Sequence, residues 1–277
     1  MDKFSTIITL SPLVNSRIRQ AKLVAGTDMT VLLKGDTGTG KEVFAQAIQQ
    51  SSKRANTVFL KLNCAALSEN LIESELFGHK KGSFTDANHD TIGLLKSADG
   101  GTLFLDEINS LPISIQSKLL HFLDSGEFLS VGEVIPHKVD VRIIAATNFD
   151  LTTLISAKQF RSDLYFRLNA FPIDLPCLMD REEDIIPLSL YFFDVIAEKN
   201  GGKAPTFSKE CIDVLQNYDW PGNIRELKNI CERFSVLFAG LVIEPDHLPA
   251  EFKTNIHKPK LKHFTLPETG MGVNPCG

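Results

Sequence analysis

Five short runs of β-branched and aromatic residues lie between residues 30 and 175 of the chain. Most are nearly continuous in apolar character, which is typical of strands buried on both faces of a parallel sheet. Longer stretches with helical spacing lie between them, and strands that alternate with helices predict a doubly wound α/β fold. The predicted strands are Thr30–Lys34, Thr57–Leu62, Thr102–Asp106, Val139–Ala146 and Ala170–Leu175.

The pattern changes after Pro176, where only helical periodicity follows. Ser208 and Asn223 stand where two of these helices begin, and their side chains are of the kind that accepts hydrogen bonds from first-turn amides, so we expect both to be N-caps. The predicted helices cover 185–196, 208–217 and 223–238.

This change of pattern predicts the domain organisation. We expect an α/β nucleotide-binding domain over 1–175 and a small all-helical lid domain over 176–250. Residues 251–277 contain a Lys- and Pro-rich stretch and are expected to form a flexible tail without a DNA-binding domain. By itself the chain is therefore not expected to recognise a DNA sequence.

Composition narrows the class of protein without naming a function. The 277 residues are 43% hydrophobic and 23% charged, as in ordinary globular domains, and the net charge of −5 gives no global basic field for nucleic acid. The five cysteines lack the paired spacing of a zinc site. No apolar run reaches the roughly 18 residues of a membrane span. We expect a folded cytoplasmic protein that makes no membrane contact.

A glycine-rich segment directly after the first predicted strand is the strongest chemical signal. It has the pattern G-x-x-x-x-G-K and is followed by a helical run, which is the strand–loop–helix context of a phosphate-binding loop. Backbone amides of such a loop point at phosphates, and its lysine reaches the β- and γ-phosphates of ATP. The nucleotide-binding residues predicted here are Gly35, Asp36, Thr37, Gly38, Thr39, Gly40, Lys41 and Glu42.

Two acids end the third predicted strand. Asp106 is expected to hold Mg²⁺, directly or through water, and Glu107 to orient and polarise the water that attacks ATP. Acids also suit a helix N-terminus, but the phosphate loop upstream favours the catalytic interpretation. Asn148 ends the fourth strand, where its amide could reach the γ-phosphate or the water.

With these residues placed, the chain resembles the central AAA+ ATPase domain of sigma-54-dependent activators, also called bacterial enhancer-binding proteins. The resemblance runs from about Ser11 to Pro249, and Glu42, unusual in phosphate loops generally, is usual in this family. The motifs that carry it are GDTGTGKE at 35–42, LNCAAL at 62–67, ESELFGHKKGSFTDA at 73–87, ADGGTLFLDEI at 98–108, FRSDLYFRL at 160–168 and WPGNIRELKN at 220–229.

The resemblance implies a fold and further roles. It implies an AAA+ P-loop domain with a five-stranded parallel sheet between helices, followed by a helical lid. Asn63 matches the residue that restrains the catalytic glutamate until nucleotide is sensed, and Arg225 matches the sensor of the lid. Arg161 and Arg167 match arginine fingers that enter a neighbouring subunit's site. Fingers supplied in trans imply a homo-oligomeric ring, expected to be a hexamer.

One loop decides which partner the resemblance implies. The family loop usually reads G-A-F-T-G-A and contacts sigma-54 RNA polymerase holoenzyme. Phe84 and Thr85, the expected contact residues, are present, whereas Asp86 replaces a glycine and adds a charge and a Cβ. The partner-binding residues predicted here are Gly82, Ser83, Phe84, Thr85, Asp86 and Ala87.

Two functions remain open at this point. The first is a Mg²⁺- and ATP-dependent ring that remodels the sigma-54 polymerase closed complex and so activates transcription. The second is a sigma-54-independent regulator that uses the same fold as a nucleotide-gated oligomerisation platform, and Asp86 is the residue that favours it. A clamp-loader or chelatase type of AAA+ protein is disfavoured, because those lineages lack the ESELFGHKKGSF stretch.

Overall fold

A computed structural model of the protein describes residues 3–83 and 89–254. The strands are β1 (Val31–Lys34), β2 (Phe59–Asn63), β3 (Gly78–His79), β4 (Thr91–Ile92), β5 (Thr102–Asp106), β6 (Glu127–Phe128), β7 (His137–Lys138), β8 (Arg142–Thr147), β9 (Phe171–Asp174), β10 (Thr206–Phe207) and β11 (Val242–Ile243). The helices are α1 (Pro12–Ala25), α2 (Lys41–Gln50), α3 (Glu69–Phe77), α4 (Leu94–Ser97), α5 (Ile113–Ser125), α6 (Leu151–Ser156), α7 (Ser162–Leu168), α8 (Ile185–Asn200), α9 (Lys209–Gln216), α10 (Asn223–Leu237) and α11 (Ala250–Thr254). Short 3-10 helices lie at Lys3–Thr6, Ile108–Ser110, Leu178–Asp184 and Pro245–His247.

The centre of the fold is the predicted five-stranded parallel sheet, in the order β2-β5-β8-β1-β9. Successive side chains of a strand alternate between its faces, so Leu32 packs into one core and Val31 and Leu33 into another. Helices cover both cores, which explains why all six residues of β8 are buried. The carboxyl ends of parallel strands meet at one edge, where ligands bind in such folds.

The fourth predicted strand begins later than expected, at Arg142 instead of Val139. The amide of Val139 donates to the carbonyl of Gly126, and the carboxylate of Asp140 accepts from Arg54 Nη2 at 2.8 Å. These partners hold residues 139 and 140 outside the sheet.

The segment after β9 is mainly helical and has its own core around Trp220, Phe193 and Phe234. It also contains the parallel pair β10 and β11, which helical periodicity does not indicate. No helix among residues 3–83 and 89–254 is long and apolar enough to cross a bilayer.

The two predicted N-caps have different outcomes. Ser208 caps α9 by accepting from the amide of Cys211 at 3.2 Å, as expected. The expectation for Asn223 is wrong: Gly222 occupies the cap position of α10, and the Asn223 side chain bonds to Leu178 and Thr37 instead.

Candidate functional site

The predicted phosphate loop lies between the end of β1 and the start of α2. Gly38 and Gly40 have φ angles of 82° and 103°, which residues with a Cβ rarely adopt. Helix α2 begins at Lys41, so the amides of its first turn lack partners within the helix and are directed toward the loop. The segment therefore has the backbone geometry of an anion site.

Lys41 is fixed against the loop that precedes it. Its Nζ donates to the carbonyl oxygens of Gly35 at 2.7 Å and Asp36 at 2.9 Å, and the residue is only 8% exposed. Burial lowers the pKa of Lys41, while the nearby carboxylates of Asp106, Asp36 and Glu107 act in the opposite direction. The ammonium group thus lies among the acids that the sequence assigns to catalysis.

The two predicted catalytic acids lie at the carboxyl end of β5. The amide of Glu107 donates to Asp106 Oδ1 at 2.9 Å, and Glu107 has a φ of 53°, in the left-handed region that non-glycine residues seldom occupy. Asn63 lies opposite Asp106 in the parallel register of β2 and β5, and its Oδ1 accepts from the amide of Ala65 at 2.8 Å. Three predicted site residues are therefore adjacent at one sheet edge.

Asn148 lies just beyond the end of β8, the strand between β5, which carries the two acids, and β1, which leads into the phosphate loop. Its Nδ2 donates to Thr37 Oγ1 at 3.1 Å. Its Oδ1 is buried and has no hydrogen-bond partner among the residues that the structure describes. A buried acceptor beside a phosphate loop is suited to a water molecule next to the γ-phosphate.

One cavity of about 570 Å³, a size typical of small-molecule sites, is lined by residues 37–42 of the phosphate loop, while Asn63 and Asn148 are not among its lining residues. Lys41, Asp106 and Glu107 line it from the sheet side, and Arg225 lines it from α10. Its apolar end is formed by Ile7, Ile8, Leu188, Tyr191 and Phe192.

Glu42 also lines this cavity, where many phosphate loops have Ser or Thr. Its Oε1 lies 2.6 Å from Lys61 Nζ on β2. The Glu42 carboxylate is therefore paired with the ammonium group of Lys61.

The predicted arginine fingers do not line the cavity of their own chain. Arg161 directly precedes α7 and donates to Asp163 and to Ser117 Oγ. Arg167, in the last turn of α7, donates to the carbonyl of Leu123 and lies 3.2 Å from Asp124.

Only the first two residues of the predicted partner loop can be placed, because Phe84, Thr85, Asp86 and Ala87 lie outside the described residues. Gly82 has a φ of 81°, and the amide of Ser83 donates to the carbonyl of Lys80 at 3.1 Å. The segment is attached to residues 129–137 through backbone bonds: Lys80 donates to the carbonyl of Val131, and Val131 donates to that of Gly78.

An ionic cluster at this attachment is a feature that the sequence did not indicate. Glu133 accepts from His137 Nε2 at 2.5 Å and lies 3.2 Å from Lys80 Nζ, which also pairs with Asp90 at 3.1 Å. These bonds lower the pKa of Glu133 to about 2, with the His137 bond as the largest cause. The cluster connects Lys80, which precedes the predicted partner loop, to residues 133 and 137 of the adjacent segment.

Comparison with known families gives two matches along the chain. Residues 7–174 match the family described as Sigma-54 interaction domain, and residues 179–263 match the family described as AAA+ ATPase lid domain. The predicted AAA+ fold is thereby confirmed.

Named relatives are transcription regulators. The chain is 48% identical over 239 residues to the transcriptional regulatory protein ZraR of Klebsiella oxytoca, covering 86% of this chain and 54% of that protein. It is 47% identical over 242 residues to the Nif-specific regulatory protein of Rhodobacter capsulatus, covering 87% of this chain and 42% of that protein. The chain thus spans roughly half or less of these relatives.

Solved structures agree with the fold. NtrX from Brucella abortus in complex with ADP has a TM-score of 0.82 and 36% identity, covering 88% of this chain and 55% of that chain. The same protein in complex with ATP has a TM-score of 0.82 and 37% identity, covering 89% of this chain and 57% of that chain.

Proposed function

The chain belongs to the Sigma-54 interaction domain family of sigma-54-dependent activators, and we propose that it hydrolyses ATP as a ring that remodels sigma-54 RNA polymerase. The observation that carries this proposal is one cavity lined by Lys41, Asp106 and Glu107. A phosphate-binding cation and two acids at the end of a neighbouring strand are the parts that phosphoryl transfer to water requires. The nucleotide complexes of the NtrX structures support ATP as the substrate.

The cavity accounts for each part of the nucleotide. Its apolar end, which includes Tyr191 and Phe192, suits a planar base, and the loop amides with Lys41 suit the phosphates. Glu107 polarises the attacking water, and Asn148 accepts a hydrogen bond from that water through its unpaired Oδ1 or donates to the γ-phosphate through Nδ2.

The acid side chains also suit a magnesium ion. Carboxylate oxygens are ligands that Mg²⁺ prefers, and Asp106 uses one of its two oxygens to accept from the amide of Glu107. We assign Asp106 as the residue that holds the ion. When bound, Mg²⁺ offsets the negative charge of the phosphate oxygens.

The ring is proposed because the arginines that match fingers lie away from their own cavity. Arg161 directly precedes α7 and Arg167 lies in its last turn, and because they are half-buried and exposed, respectively, a neighbouring copy can reach them. A guanidinium inserted into a neighbour's site offsets charge that develops on the transferred phosphoryl group. On this proposal, a lone copy has incomplete active sites.

Coupling to the polymerase is proposed to run through the loop that contains Phe84 and Thr85. Family membership supports this role, and the segment that precedes the loop is held by backbone bonds of Gly78 and Lys80 to Val131. Asp86 is then a tolerated replacement for glycine. If it is not tolerated, the chain acts on transcription independently of sigma-54.

The decisive experiment is capture of purified sigma-54 by the protein loaded with ADP and aluminium fluoride, which imitates the phosphoryl group in transfer. We expect a stable complex that is lost in Thr85→Ala and retained in the control Thr27→Ala, which alters a threonine just beyond the end of α1. A protein that hydrolyses ATP and forms no complex would leave the ATPase assignment intact and favour the sigma-54-independent function. Restoration of the complex by Asp86→Gly would identify Asp86 as the cause.

A further inference from the structure

Three consecutive carbonyl groups of the phosphate loop accept hydrogen bonds from the segment that follows the sheet. Two donors come from the start of α10 and one from the 3-10 helix that enters this segment. The bonds are Asn223 Nδ2 to the carbonyl of Thr37 at 3.1 Å, the Ile224 amide to that of Gly38 at 3.0 Å, and Arg181 Nη2 to that of Thr39 at 2.8 Å.

These bonds fix the direction of the loop amides that bind phosphate, because each amide shares a peptide unit with one of the bonded carbonyls. In a planar trans peptide, the carbonyl of one residue and the amide of the next point in opposite directions. Fixing the three carbonyls toward the helical segment therefore directs the amides of Gly38, Thr39 and Gly40 away from it, where the Thr39 amide meets the carbonyl of Asp36 at 3.3 Å. These are amides of the segment that the phosphates of ATP would meet.

The phosphate loop and the residue that precedes α10 are in close backbone contact. A Cβ on Gly38 would lie 2.4 Å from the carbonyl oxygen of Gly222, so the two backbones touch at this point. The loop can move relative to α10 only if this contact opens.

Asn223 is the side chain that is built into the contact. It is 2% exposed and has a φ of 53°, a left-handed conformation that asparagine tolerates better than most residues. Its Oδ1 accepts from the amide of Leu178 at 2.7 Å, while its Nδ2 donates to Thr37. One carboxamide thus joins the entry of the helical segment, the start of α10 and the phosphate loop.

We propose that Asn223 is a positioning residue that holds the phosphate loop in its phosphate-binding shape by docking the helical lid onto it. The inference rests on the proposed ATP-binding function of the cavity. It differs from the sensor role that the resemblance gives to Arg225, because Arg225 lines the cavity whereas Asn223 lies outside its lining and bonds to the loop backbone.

The test compares two asparagine substitutions in the same helical segment. Asn223→Gly retains the left-handed backbone and removes both side-chain bonds without adding charge. Asn217→Gly is the matched control, because its Nδ2 donates to the carbonyl of Asp213 at 2.7 Å, a bond that stays within the helical segment. Asn223→Asp is a second variant that keeps the acceptor for Leu178 and loses the donor for Thr37.

We expect Asn223→Gly to weaken ATP binding about tenfold, because only one of the two lost bonds, that to Thr37, acts on the loop, and to change kcat by less than about threefold. Asn223→Asp should weaken binding in the same direction, and Asn217→Gly should leave it unchanged. Without nucleotide, the amides of Gly38 and Gly40 should exchange with solvent faster in Asn223→Gly than in the parent. The last measurement is independent of turnover.

The outcomes separate this inference from the function on which it rests. ATP affinity and loop exchange that match the parent in a folded Asn223→Gly protein would overturn the positioning role and leave the ATPase assignment in place. An equal loss of affinity in Asn217→Gly would also overturn it, because the effect would then come from general loosening of the helical segment. A parent protein that binds no ATP would overturn the proposed function and the positioning role together.

Discussion

Arg161 and Asp163 form a two-pronged ion pair at the start of α7, with Nη2 2.7 Å from Oδ2 and Nε 3.0 Å from Oδ1. The guanidinium lowers the pKa of the Asp163 carboxyl. Both side chains are exposed to solvent, and exposed pairs of this kind contribute little to stability. The guanidinium can therefore exchange a carboxylate of its own chain for the phosphates of a neighbouring copy at low cost.

Replacement of Arg161 by alanine tests its role as a finger. We expect ATP binding to be spared and turnover to fall by at least about 100-fold, because arginine fingers stabilise the transition state more than the bound substrate. Steady-state ATPase assays and equilibrium binding measure the two effects. Arg19→Ala, which removes an exposed arginine of α1, is the control and should leave both unchanged. An unchanged rate in Arg161→Ala would exclude the finger role.

Mixing two inactive variants tests whether the finger acts in trans. Glu107→Gln lacks the water-polarising acid and retains Arg161, while Arg161→Ala retains Glu107. In a mixed ring, a Glu107→Gln copy can supply its finger to an Arg161→Ala neighbour, so we expect ATPase activity to reappear on mixing. Each variant alone should remain inactive at the same total concentration. Absence of recovery in rings shown to be mixed would place the finger in its own chain's site.

Loss of the Lys41 ammonium group should remove nucleotide binding. Lys41 is the cation held by the loop carbonyls of Gly35 and Asp36, and charge-assisted bonds to phosphate are among the strongest that a side chain makes. We expect Lys41→Ala to weaken ATP binding by at least about 100-fold, as measured by calorimetry. Lys53→Ala, at an exposed turn, is the control. Tight binding by a folded Lys41→Ala protein would refute the phosphate-loop assignment.

The sheet and the phosphate loop could be predicted because their signals are contiguous in the sequence. An apolar run followed by the glycine pattern and a helix identifies β1, the loop and α2 from local residues alone. The same holds for β5, which ends in Asp106 and Glu107. The roles of these side chains remain predictions, since position beside a cavity does not measure turnover.

The features that sequence reasoning missed depend on partners distant along the chain. Asn223 resembles an N-cap locally, but its acceptor at Thr37 lies 186 residues away, and the tertiary bond replaces the local one. The bond between Glu133 and Lys80 likewise joins two loops whose local patterns give no sign of each other. Such pairs become visible only after the sheet brings the segments together.

The ionic cluster around Glu133 predicts a pH dependence of stability. The pKa of the Glu133 carboxyl is lowered from 4.5 to about 2. The hydrogen bond from His137 is the largest cause, and those from Lys80 and Ser130 are smaller ones. A carboxyl whose pKa is lower in the folded state stabilises the fold above its unfolded pKa, and that contribution is lost as the pH falls through the folded pKa. The window for Glu133 therefore lies between about pH 4.5 and about pH 2.

Removing the Glu133 charge should abolish this dependence while leaving the fold intact. We expect the free energy of unfolding of Glu133→Gln to lie below that of the parent at about pH 5, and the gap to close as the pH falls from about 4.5 toward about 2. Urea unfolding of both proteins at a series of pH values measures the gap, and Glu75→Gln controls for loss of an exposed glutamate. The amide of Val131, which pairs with the 78–83 segment, should also exchange faster in Glu133→Gln at pH 6, because the ion pair to Lys80 no longer supports that pairing. A gap that persists unchanged at pH 2, or Val131 exchange equal to the parent's, would show that the cluster does not hold the two loops together.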